Sequence, residues 1–151
     1  MSTTTDRIER EVRIAAPVER VWALVTEAEH LGSWFGDAGA EVDLRPGGEM
    51  TLRWEEWGVT HARVERVEPP HRFSWRWLLE GGSEPADGNS TLVEFTLADD
   101  GGETLLTVVE AGFDGLALPQ EERRRRYASH TGGWERELDE LAVHARQPAA
   151  R

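Results

Sequence analysis

The sequence predicts an α+β fold, in which a seven-stranded curved antiparallel sheet wraps around one long C-terminal helix, with two short helices after the first strand. Three observations carry this expectation. Seven stretches alternate apolar and polar residues at the period of a strand. Turn-forming stretches too short for crossover connections join the last six, which implies antiparallel pairing. One long segment, Leu118 to Arg146, repeats instead at steps of three and four.

The first strand is Ile8 to Ile14. Ile8, Arg10, Val12 and Ile14 share one side, and Glu9, Glu11 and Arg13 the other, so an arginine interrupts an apolar face. Ala16-Pro17 ends it, and proline suits a helix start because it has no amide hydrogen to lose there. Val18, Val21, Trp22 and Val25 carry the first short helix; Glu29 to Trp34 carries the second, which stops at Gly36. The second strand runs from Glu41 to Leu44 and turns at Pro46-Gly47-Gly48. Met50, Leu52 and Trp54 mark the third strand, and Thr60, Ala62 and Val64 the inward side of the fourth, which Pro69-Pro70 breaks. Phe73, Trp75 and Trp77 line the fifth. The polar Glu80 to Ser90 stretch reads as a mobile loop. Val93, Phe95 and Leu97 form the sixth strand, and Leu106, Val108 and Glu110 the inward side of the seventh.

The last helix opens on Pro119, Gln120, Glu121 and Glu122, whose acids meet the positive end of the helix dipole. Tyr127, His130, Thr131, Trp134, Leu138, Leu141 and Ala145 share a face, and Pro148 is a stop signal. Gly132 and Gly133 interrupt it. Mid-helix glycines cost about 1 kcal/mol each against alanine, so room is needed there. The helix is expected to lie in the hollow of the sheet and close a cavity.

At 151 residues the chain is expected to be one domain, 1–151, with residues 1–6 and 147–151 flexible. No apolar run reaches the ~20 residues of a membrane span, and the first residues do not form a signal peptide, so the cytoplasm is expected. Absence of cysteine removes disulfides, thiolate nucleophiles and cysteine zinc sites. A net charge of −12 argues against nucleic acid. The run Arg123 to Arg126 points around the whole helix and reads as a solvated turn balanced by Glu121 and Glu122. No HxH or HExxH spacing, nucleophile elbow, P-loop or dinucleotide fingerprint occurs, so neither a metal nor a cofactor is expected.

Several stretches resemble a known family. Ile14 to Trp22 (IAAPVERVW) is similar to the opening of the START-like, or SRPBCC, superfamily, which includes the birch-pollen allergens. Leu31 to Phe35, the Gly47-Gly48 turn, Val67 to Trp75, Gly102 to Thr107, Gly112-Phe113 and Gly133-Trp134 follow in the order of one branch. That branch is homologous to the C-terminal domain of the activator of the heat-shock-protein-ninety ATPase. The likeness spans Ile8 to Leu141. It implies a helix-grip fold around a hydrophobic cavity. The superfamily holds lipid and hormone binders, polyketide cyclases and ring-hydroxylating oxygenase subunits, so fold does not fix activity. The cysteine–histidine ligands of a Rieske centre are missing here.

Three functions are weighed. The first is binding of a small hydrophobic or aromatic molecule in a cavity lined by Trp54, Trp75, Trp77, Phe95, Val108, Tyr127, His130 and Trp134. Core filling is the plainer role for any single tryptophan. Arg10 and Glu110 would face one another as polar anchors; the plainer readings are an ion pair at the rim, or a bulge turning Glu110 outward. His130 would donate a hydrogen bond or act as a base, against a plainer role satisfied by backbone or water. The second function is a cyclase or dehydratase using the same cavity. The third is a protein-interaction module. A homodimer is left open.

Overall fold

A computed structural model describes residues 7–36, 38–56, 58–79, 85–86 and 88–146. Trp57, most of the expected mobile loop, and the expected flexible ends 1–6 and 147–151 lie outside the described residues.

The chain order is β1 (Arg7–Ile14), α1 (Val18–Thr26), α2 (Ala28–His30), a π-helical turn (Leu31–Phe35), β2 (Ala40–Val42), β3 (Glu49–Trp54), β4 (Gly58–Glu68), β5 (Arg72–Leu78), β6 (Ser90–Asp100), β7 (Glu103–Ala111), a single turn of 3-10 helix (Phe113–Gly115) and α3 (Gln120–Ala145). All seven strands form one antiparallel sheet in the order β1-β7-β6-β5-β4-β3-β2. This is the expected α+β, helix-grip-like architecture. The first strand pairs with the last because α1, α2 and the π turn carry the chain across to the opposite edge.

Alternation places the core. Ile8, Ile14, Met50, Leu52, Ala62, Val64, Phe73, Trp75, Trp77, Val93, Phe95, Leu97, Leu106 and Val108 are all buried on the face covered by α3 and the short helices. Between Val64 and Arg66 the register of β4 against β5 shifts, which adds a residue to β4 and bends the sheet. Past the shift, Val67 takes up the inward side opposite Phe73.

Two strand boundaries differ from expectation. The second strand ends at Val42, and Leu44 is exposed in the following turn, where Arg45 binds Asp43 instead of continuing the ladder. Ser90 belongs to β6, not to a loop: its hydroxyl donates to Ala86 O and the residue is buried.

In α3, Trp134, Leu138, Leu141 and Ala145 are buried, a stripe at the spacing of one helix face. The arginine run is not simply solvated. Arg125 and Arg126 pair with Glu122, but Arg123 also donates to Leu118 O at 2.7 Å and Arg126 to Leu79 O at 2.5 Å. Those two guanidinium groups tie the start of the helix to its own approach and to the end of β5.

The π turn positions one further ring. A Cβ on Gly32 would meet Gly39 Cα at 2.9 Å, and one on Gly36 would meet Arg53 O at 2.8 Å. Only glycine lets this turn press on the β2–β3 edge. Trp34 Nε1 donates to Leu24 O at 2.6 Å and Trp54 Nε1 to Phe35 O at 2.9 Å, which fixes the turn from both sides. Phe35 is thereby driven into the space between sheet and helix.

Candidate functional site

The site is built on Glu110. It continues the inward register of Leu106 and Val108, and its residue exposure is 0%. A buried carboxylate is costly unless fully bonded, and this one is. His130 Nδ1 donates to Oε1 at 2.8 Å and to Oε2 at 2.9 Å. Trp134 Nε1 donates to Oε1 at 2.9 Å, Trp77 Nε1 to Oε2 at 2.9 Å, and Thr91 Oγ1 to Oε2 at 2.5 Å. Burial pushes the carboxyl group up, but the hydrogen bond and charge of His130, with the bonds from Thr91 and Trp134, outweigh it and hold Glu110 below the usual carboxylate range. The group is therefore an ionised acceptor.

Cross-strand pairing explains the assembly. Trp77 pairs with Thr91 between β5 and β6, and Val93, two residues on from Thr91, pairs with Glu110 between β6 and β7. Three adjacent strands thus aim one side chain each at a common point, and α3 brings His130 and Trp134, four residues apart on one face, down onto it.

The Arg10–Glu110 pair is not formed. Register places Ile8 opposite Glu110 and Val108 opposite Arg10. The Arg10 guanidinium emerges at the edge, donating to Glu9 O at 2.9 Å and approaching Glu135 at 3.5 Å. The plainer alternatives for Glu110 fail too, because its partners are two indoles, a hydroxyl and an imidazole. His130 Nδ1 is satisfied by this carboxylate.

Beside the network lies a cavity of about 200 Å³, lined by Phe35, Trp54, Thr60, Trp77, Leu79, Ser129, His130, Gly133, Trp134, Arg136 and Glu137. Phe35 stacks near-parallel on Trp77 (centroids 5.7 Å, 18°) and on Trp134 (5.4 Å, 20°). Exposed Ser129 and Arg136 form the rim. His130 Nδ1 is committed to buried Glu110, so the opposite ring edge, with Nε2, is the part of this 20%-exposed side chain on the cavity wall.

Of the predicted lining, Trp54, Trp77, His130 and Trp134 reach the cavity. Trp75, Phe95 and Val108 do not: they are buried to 0%, 0% and 1% exposure in the floor, which Phe35 and Trp134 cover at 5.8 Å from Trp75 and 5.9 Å from Phe95 respectively. Trp75 Nε1 is a buried donor without an acceptor among the described residues, and rings of Phe35, Phe73, Trp77 and Phe95 surround its indole. Tyr127 is outside as well, its hydroxyl donating to Arg7 O at 2.9 Å and its ring edge-on to Phe113. Phe35 and Thr91 were missed. Thr91 was visible in principle, since it has the same parity as Val93 and Phe95; Phe35 was not, because its direction depends on a π turn.

The profile of one family, described as Activator of Hsp90 ATPase homolog 1-like protein, matches residues 15–146. The chain belongs to this family. Solved structures agree on the fold. A protein from Mesorhizobium loti, MLL2253, is 22% identical, with 94% of this chain and 99% of that one covered and a TM-score of 0.76. CalU16 from Micromonospora echinospora is 28% identical over 93% of this chain and 76% of its own, with a TM-score of 0.70. The Aha1 dimer from Colwellia psychrerythraea is 16% identical over 92% and 95%, with a TM-score of 0.72. Curated proteins yielded no match.

Proposed function

We propose that this family member binds a small, largely apolar aromatic molecule in the cavity between the sheet and α3, with His130 Nε2 as its polar contact. The observation that carries this reading is the placement of the imidazole. Three groups, from two strands and the helix, fix a buried carboxylate on a third strand whose remaining partner is a histidine at the wall of an aromatic hollow. Such a constellation orients a side chain more than it fills a core.

An apolar cavity of about 150 Å³ accommodates benzene, so about 200 Å³ holds one ring with substituents. A more polar hollow of about 630 Å³ adjoins it through Phe35, Trp54, Ser129, Arg136 and Glu137. The stacked Phe35, Trp77 and Trp134 favour a flat body. Titrating tryptophan fluorescence with substituted benzenes and naphthalenes tests the reading, because Trp54, Trp77 and Trp134 are on the wall. Saturable quenching that Phe35→Ala alters supports it; no saturable change with any of them removes it.

One observation favours an enzyme on the same cavity as a second reading. A carboxylate bonded to Nδ1, with Nε2 turned to a pocket, is the arrangement that orients a histidine for general acid–base work. Turnover of an aromatic polyketone that is abolished by His130→Ala would support it. The interaction-module reading finds less support, since the exposed large apolar side chains among the described residues, Leu44, Val59 and Val143, sit on different elements.

A further inference from the structure

Glu110 fixes more than the orientation of His130. Its oxygens receive indole N–H bonds from Trp77 and Trp134, which can only donate, and a hydroxyl bond from Thr91. An ionised carboxylate is acceptor-only, so the imidazole nitrogen facing it must carry the hydrogen. In the neutral ring Nε2 is then a bare lone pair. A ligand touching the neutral ring there must bring a hydrogen to share, because a carbonyl or ether oxygen would place lone pair against lone pair.

Resting on the binding reading above, we propose that the ligand carries an acidic hydroxyl, a phenol or enol on an aromatic body, and that His130 Nε2 takes its proton. The O–H bond breaks and the Nε2–H bond forms, while the electron pair stays on the oxygen. Nδ1–H remains on Glu110. The imidazolium then stands between two anions, oxyanion on the cavity side and carboxylate on the buried side. The total charge of the site does not change, which matters where burial makes added charge expensive.

Among the described residues, few other charged groups line the cavity, and Glu56 and Glu140 line the hollow that adjoins it. Arg136 and Glu137 stand at the rim on the same helix, and Glu110 is the charged contact of His130 from the sheet. A carboxylic acid, already ionised at neutral pH, would have to enter a chain of net charge −12 as an anion. A phenol enters neutral and ionises in place. A simple phenol, at about 10, lies roughly three to four units above imidazole at about 6.5, so the hydroxyl that yields its proton is an acidified one, a phenol bearing an electron-withdrawing group or a conjugated enol; an aliphatic alcohol is weaker still. It also lacks the flat face that stacking rings reward.

The test compares 4-nitrophenol with 4-nitroanisole, which has the same ring and nitro group but no acidic hydrogen. Quenching of tryptophan fluorescence reads binding of both, and the phenolate absorption band of the first reads its ionisation in the complex. The native protein is expected to bind the phenol about tenfold more tightly than the ether, and the bound phenol to ionise about one pH unit lower than in water. His130→Phe should bring the two affinities together and abolish that shift. His130→Gln, which keeps a hydrogen-bonding side chain at the wall, should abolish the ionisation shift as well. Equal affinity for the two probes in the native protein, or a bound phenol that ionises as in water, overturns the proton-acceptor role and leaves cavity binding standing. A preference that survives in His130→Phe also overturns it. Saturable binding of neither probe overturns this inference, and the failure of the wider aromatic panel would then remove the binding reading separately. If His130→Phe does not fold, the spectrum of the phenol bound to the native protein still decides.

Discussion

Glu110 and His130 meet at 2.8 Å although one ends the last strand and the other lies on the long helix. The contact joins the two layers of the fold through a buried polar pair. Without His130 the carboxylate, at zero exposure, would keep its three other donors but lose the one that bonds both of its oxygens.

Removing the carboxylate should therefore be expensive. Glu110→Ala leaves Trp134 Nε1 without its acceptor and Trp77 Nε1 with only Thr91, at 2.9 Å. Each buried donor left unpaired typically costs about 1–3 kcal/mol, and their sum for a chain of this size lowers Tm by roughly 10 °C. Thermal unfolding followed by circular dichroism measures it. A double-mutant cycle with His130→Ala should return a coupling of about 1 kcal/mol or more; additivity within error would mean that the contact contributes nothing.

The same pair predicts acid sensitivity. Glu110 is held below its ordinary value of 4.5, so the folded state binds its proton less readily than the unfolded state does. The stability it supplies is complete above that ordinary value and is lost as pH falls through the lower folded value. His144 acts earlier: burial, then the charges of His30 and Arg20, lower it from 6.5. Its unfolded form gains a proton first, so stability should begin to decline as pH drops below 6.5. Chemical denaturation from pH 8 to about 3 should show an early slope below 6.5 that His144→Gln removes, and a late one below 4.5 that Glu110→Gln removes.

Phe35 offers a different kind of test. It stacks on Trp77 and Trp134 and touches Trp54 and Trp75 edge-on or tilted, at 5.4 and 5.8 Å. Truncating a buried phenylalanine usually costs about 3–5 kcal/mol. Here the loss also opens the cavity floor, so Phe35→Ala should shift tryptophan emission to the red before any unfolding, while Phe35→Leu should do so less. An unshifted folded-state spectrum in both would place the ring outside the aromatic cluster.

Local pattern made the strands legible. Residues 93, 95 and 97, or 106, 108 and 110, announce one face by parity alone, and the helix stripe from Trp134 to Ala145 does so by its own period. What parity cannot supply is register between strands. Arg10 and Glu110 both point inward by alternation, yet a two-residue offset separates them, because pairing begins at Arg7 with Ala111. The cavity boundary was hidden for a related reason. Trp75 and Trp77 have equal parity and similar chemistry, and only the π turn, which drops Phe35 over the first and beside the second, makes one floor and the other wall.

Gly132 and Gly133 supply the last prediction, since they separate folding from occupancy. A Cβ on either would meet nothing nearer than the Arg136 guanidinium at 3.9 Å, so neither is required by close packing inside the helix. Glycine in a helix interior is worse than alanine by about 0.5–1 kcal/mol, and Gly132→Ala should raise stability by about that much. Gly133 lines the cavity, and a larger side chain there extends into the hollow beside His130 and Trp134. Gly133→Leu is accordingly expected to keep or raise Tm while weakening saturable quenching by aromatic probes about tenfold or more. The two readouts must diverge. If Gly133→Leu unfolds the protein, the space beside the helix is needed for packing; if it folds and binds as the native chain does, the probes sit elsewhere.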